Sequence, residues 1–158
     1  MGGKLALEAP PVAVAAMLIR RPVEEVYEAF VDPAIASQFW FTGGSARLDS
    51  GKPIRWDWQM YGFSVTVSVR ELVKDRKIEL DWDEPATRIV WTFTPMAEGT
   101  FVEIQNSGFS GRADETVKQA IDSAGGFSFV LAGCKAWLEH GIRLELVRDR
   151  HPGGLPSG

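Results

Sequence analysis

The chain is poor in the residues that carry most enzyme chemistry: of 158 residues, one is cysteine and two are histidine. A lone Cys134 excludes an intrachain disulfide. It falls on the apolar stripe of a helical stretch with no charged neighbour at helical spacing, so an inert core thiol is expected. His140 and His151 lack ligand spacing, so no metal site is expected, and no cofactor. Gly43 and Gly44, like Gly125 and Gly126, lack the spacing of a phosphate-binding loop. Neither histidine lies near a strained turn bearing serine, so no Ser/His/Asp arrangement can be drawn.

Charge of one sign is also missing. The net charge is −4 with both signs spread along the chain, which leaves no footprint for nucleic acid or an anionic membrane surface. The most apolar early run, residues 12–19, is far too short to span a bilayer. Arg20, Arg21 and Pro22 follow it where a signal peptide would place a cleavage site. A cytoplasmic protein without membrane insertion is expected.

What the chain does have is aromatic bulk: six tryptophans and nine phenylalanines. Such side chains fill a core or line a pocket. The length suits one domain, taken as residues 12–150, with a loose tail over residues 1–11 and another over 151–158.

The clearest helical period runs over residues 125–140. Phe127, Val130 or Leu131, Cys134, Trp137 or Leu138, and Gly141 recur at steps of three and four. Asp114 is placed as the N-cap of a preceding helix carrying Val117, Ala120, Ile121 and Ala124, with Gly125 and Gly126 interrupting or kinking it. Residues 142–147 either extend the helix or lie across the sheet.

Upstream the chain reads mostly as strands. Residues 12–20 form the first. Pro22, Glu24 and Glu25 open a helix with apolar positions Val23, Val26, Tyr27 and Phe30. Asp32 and Pro33 stop it and cap a second one, which carries Ile35, Phe39 and Trp40 and ends at Gly43 and Gly44. Residues 53–60, 63–70, 77–82, 88–95 and 100–108 then alternate apolar and polar, each fenced by turn residues. A short strand near residues 45–49 brings the count to seven. Such alternation marks an antiparallel sheet with one buried face, connected as a meander.

Several runs resemble the START-like (SRPBCC) superfamily, and within it the branch of homologues of the activator of the ninety-kilodalton heat-shock protein ATPase. They are Pro22-Val23-Glu24-Glu25-Val26-Tyr27-Glu28-Ala29-Phe30-Val31-Asp32-Pro33 with Trp40 after it, Gly108-Phe109, Gly126-Phe127, and Leu138-Glu139-His140-Gly141. The resemblance implies an α+β helix-grip fold: a seven-stranded curved antiparallel sheet wrapped around a long C-terminal helix, with two short helices between the first two strands. Its motifs describe helix starts and packing more than chemistry. Asn106 stands where that pattern often has His or Glu, and Phe127 where it more often has Trp. An amide cannot act as a general acid or base, which weighs against catalysis there.

By alternation the inward face holds Trp56, Trp58, Met60, Trp82, Trp91, Phe93, Ile104 and Asn106, looking across at Phe127, Leu131 and Cys134, with Trp40 nearby. Solid core and an apolar ligand cavity are both open to such a face. For Asn106 the alternatives are a ligand, a water or a strand-edge backbone contact. The preferred expectation is a non-catalytic domain binding an apolar or amphipathic small molecule between sheet and helix. The alternative implied by the resemblance is a co-chaperone-like module acting on the heat-shock ATPase. A cyclase or hydrolase working in the cavity ranks third, because no inward acid–base pair supports it. A homodimer through strand edges or through exposed Trp and Phe is open to the chain.

Overall fold

The computed structural model describes residues 5–155. Strand β1 (Ala13–Ile19) leads into helices α1 (Val23–Val31) and α2 (Pro33–Ala36). Six further strands follow: β2 (Gly43–Gly44), β3 (Ile54–Trp58), β4 (Phe63–Val73), β5 (Lys77–Trp82), β6 (Thr87–Met96) and β7 (Gly99–Ser107). The chain closes with α3 (Ala113–His140) and a short α4 (Leu146–Arg150). All seven strands form one antiparallel sheet in the order β1-β7-β6-β5-β4-β3-β2. This is the seven-stranded α+β helix-grip architecture expected, with α3 held in the curve of the sheet.

The alternation works as period-2 patterning requires. Ile54, Trp56 and Trp58 are buried on β3, and Ile89, Trp91 and Phe93 on β6. The outward residues between them carry ion pairs, such as Asp81 with Arg70 and Arg88. Asp32 caps α2 as expected, accepting a 2.9 Å hydrogen bond from the Ala34 amide with Pro33 at the first turn.

Several local expectations are corrected. The second helix ends at Ala36, so Phe39 and Trp40 lie in turns beyond it. Gly43 and Gly44 are then the seventh strand, in place of residues 45–49, pairing with Asp57 and Trp56. A Cβ on Gly44 would come within 2.8 Å of Pro33 Cβ and 3.2 Å of Trp56 Cδ1, so the bare backbone is what lets this edge close. The strand containing Trp58 stops there, and Gln59–Tyr61 winds as a 3-10 turn that carries Met60 off the inward face.

The long helix has no break at Gly125 and Gly126; it runs 28 residues from Ala113, with Arg112 at the cap and Asp114 and Glu115 in its first turn rather than Asp114 at the cap. It ends at Gly141, which sits at φ 66, the left-handed conformation glycine adopts without strain. Residues 142–145 neither continue the helix nor join the sheet. They lead to α4; beyond it His151 and Gly154 are half-buried, while Pro152, Gly153 and Leu155 are exposed. Residues 1–4 and 156–158 of the expected tails lie outside the described residues.

Candidate functional site

The aromatic face divides into two zones. Tyr27, Phe30, Phe39, Trp91 and Phe93 pack edge-to-face or tilted at one end, with Phe30 6.0 Å from Trp91 between centroids. At the other end Trp40 meets Trp56 at 4.9 Å, and Phe41 stacks on Trp56 at 4.9 Å. Phe127 of α3 closes the seam, 5.8 Å from Trp40 and 6.1 Å from Trp91. Beyond Phe127 the packing opens into a cavity of about 220 Å³.

Trp40, Trp58, Phe63 and Trp82 form the sheet-side walls of that cavity; Ser123, Gly126, Phe127 and Val130 form the helix side. The roof comes from the C-terminal segment, through Val147, Arg150, His151 and Leu155. An adjoining recess of about 240 Å³ shares Trp82, Asp122, Ser123 and Phe127 and adds Pro85, Ile89, Asn106 and Phe109. The walls are aromatic and apolar with few polar groups, the usual make-up of a small-molecule site.

Of the residues expected to line a site, Trp40, Trp58, Trp82 and Phe127 meet at the main cavity and Asn106 at the recess. Trp56, Trp91, Phe93, Ile104, Leu131 and Cys134 are each at most 1% exposed and belong to the packed core. Burial pushes the Cys134 thiol far above the ordinary cysteine value, so it stays protonated and unreactive. Met60 lies in a separate polar cleft with Thr42, Gln59 and Arg143, because the 3-10 turn redirects it.

Asn106 is satisfied within the protein. Its amide donates to the Arg88 carbonyl at 2.9 Å and accepts from the Ser123 hydroxyl at 2.8 Å. That pair ties β7 to α3 at the edge of the recess. Of the three alternatives for this amide, the backbone contact is present, joined by a side-chain partner on the helix.

Sequence reasoning did not reach the roof. The Tyr61 hydroxyl donates to the Val147 carbonyl, and its ring meets His151 edge-on at 6.1 Å. Arg150 Nη2 donates to the Asp122 carbonyl at 3.2 Å and carboxylate at 3.0 Å, and the guanidinium lies 5.7 Å from the Phe129 ring centroid. A Cβ on Gly125 would stand 3.0 Å from Arg150 Nη2, and one on Gly126 2.8 Å from Nη1. The two glycines bare the helix backbone so that the arginine can lie on it. Two glycines inside a long helix cost up to about 1 kcal/mol each against alanine, and that cost was the signal available in the sequence.

Among the described residues no group of three or more His, Cys, Asp or Glu side chains is placed to hold a metal. Among the described residues no helix is long and apolar enough to cross a membrane.

A curved seven-stranded sheet gripping one long helix is the START-like helix-grip fold. The profile of the family described as activator of Hsp90 ATPase homolog 1-like protein matches residues 20–138, and the chain belongs to that family. Among solved structures it is similar to a Staphylococcus saprophyticus protein: 28% identity over 85% of this chain and 96% of that one, TM-score 0.75. It is also similar in fold to the Aha1 dimer of Colwellia psychrerythraea, at 17% identity over 83% and 98% of the chains, TM-score 0.71. A third similar fold is DynU16, encoded in the dynemicin biosynthetic locus: 22% identity, 84% of this chain but 48% of that one, TM-score 0.72. No curated protein sequence matches.

Proposed function

We propose that this protein binds a small apolar or amphipathic molecule in the cavity between the sheet and α3, without transforming it. The observation that carries this is a gap of about 220 Å³ walled by Trp40, Trp58, Trp82 and Phe127, directly beside a tightly packed core. Apart from the adjoining recess, the sheet face beside it is filled to contact, so the opening is local to the middle of α3, around residues 122–130. Aromatic walls contribute binding through buried area, and the few polar groups at the rim orient the ligand. The DynU16 neighbour, encoded in a biosynthetic locus for a natural product, supports a small-molecule ligand. The test is a titration with a hydrophobic fluorescent probe, compared with a Trp82→Ala variant. Saturable binding that Trp82→Ala weakens at least roughly 10-fold supports the reading, by the scale of lost aromatic contact. Unchanged isotherms would sink it.

The second reading is a protein-interaction module acting on the heat-shock ATPase, favoured by the family match over residues 20–138. It is tested by measuring chaperone ATPase rates with and without the protein. No stimulation at saturating concentration would dismiss it. The Colwellia neighbour is a dimer, and a dimer of this chain is a further proposal open to sedimentation analysis.

A further inference from the structure

We propose that the cavity selects an aromatic molecule bearing a carboxylate, and that Arg150 takes the acid group by releasing Asp122. The proposal rests on the binding reading above and names the ligand class. The main cavity's lining includes one guanidinium, Arg150, and one carboxylate, Asp122. The two form a 3.0 Å ion pair at the rim. They are unequally placed: the Arg150 side chain is 24% exposed, the Asp122 side chain 72%. Desolvation therefore falls on the cation, and a largely solvated carboxylate is its only charged partner among the described residues.

The guanidinium also has capacity to spare. Both hydrogen bonds that Arg150 makes leave from Nη2, so Nη1 and Nε have no acceptor among the described residues. An arginine presents five N–H donors in a planar fork matched to a carboxylate. Nη1 lies over Gly126, which itself lines the cavity. A ligand acid group reaching Nη1 gains a bidentate grip once Nη2 turns from Asp122. An exposed ion pair of this kind holds only about 0–1 kcal/mol, so the exchange costs little. The aromatic body would lie against Trp58, Trp82 and Phe127. The bare backbone at Gly125 and Gly126 gives the guanidinium room to lie against the helix.

The test uses isothermal titration at low salt with naphthalene-2-carboxylate and its neutral amide, against the full chain and two variants, Arg150→Gln and Asp122→Asn. The carboxylate is expected to bind roughly 10-fold tighter than the amide, the scale of a charge-assisted hydrogen bond. Arg150→Gln should abolish that preference, so that carboxylate and amide bind alike. Asp122→Asn removes the competitor and should tighten carboxylate binding by roughly 2- to 5-fold with the amide unchanged. If Arg150→Gln loses both probes by loosening the roof, the Asp122→Asn result decides. Equal binding of carboxylate and amide to the unaltered chain, or no gain in Asp122→Asn, overturns the proposal and leaves the apolar cavity standing. Failure of both probes to bind overturns the cavity reading with it.

Discussion

The Phe127 ring meets Trp91 nearly at right angles, with 6.1 Å between centroids, and there the packed core gives way to the cavity. Trp91 is 1% exposed on the core side, while Phe127 is only half-buried because its other edge faces open space. The same boundary separates Trp56 from Trp58, two residues apart on one face of β3. It orders the consequences of mutation.

Trp91→Ala should cost about 3–5 kcal/mol in chemical denaturation, the usual loss for a large buried aromatic. Trp82→Ala, at the partly exposed cavity wall, should cost clearly less while removing most probe binding. Similar stability losses in both would mean that Trp82 is core.

Asn106→Leu should destabilise the fold by about 1–3 kcal/mol, because it leaves the Arg88 carbonyl and Ser123 hydroxyl without their partner. Its effect on probe affinity should be small, since both ends of the amide are engaged within the protein. A large loss of affinity at unchanged stability would return Asn106 to the role of ligand anchor.

Gly126→Ala should separate helix from roof. Alanine favours the helix by up to about 1 kcal/mol. The new Cβ would crowd Arg150 Nη1, the end of a flexible side chain that can move away. Global stability should hold or rise, while amide hydrogen exchange over α4 accelerates. Unchanged exchange there would show that the arginine does not fasten the segment.

Tyr61 gives a pH readout. Burial holds its hydroxyl above the ordinary tyrosine value, although neighbouring His151 backbone and Arg150 pull it partway back. A raised value favours the protonated form in the folded chain. Its contribution is complete below the unfolded value of about 10 and lost as pH rises through the folded one. With two tyrosines in the chain, a Tyr27→Phe variant isolates it. Its near-ultraviolet titration should fall above the ordinary midpoint; an ordinary midpoint would mean that the roof is undocked.

Much of this fold was legible because strand alternation and helix caps are local signals. Asp32 and Pro33, and the runs containing Trp56 and Trp91, read correctly from neighbours in sequence. The misreadings at Gly125 and Gly126, and of core against cavity, share one cause: a partner far along the chain. Gly125 and Gly126 looked like a helix break because Arg150, which occupies their surface, lies outside any local window. Met60 continued an alternating run whose backbone winds into a 3-10 turn at Gln59. Core and cavity were indistinguishable because Trp56 and Trp58 share the same period and differ only in what α3 and the C-terminal segment place above them.

The central claim is that the space beside Trp58 is a binding site. It is tested most directly by following the six indole N–H signals in an NMR titration with naphthalene-2-carboxylate. Saturable shifts should be largest at Trp40, Trp58 and Trp82, with Trp137, which does not line the cavity, unmoved. No saturable shift at those three, or movement greatest at Trp137, would contradict it.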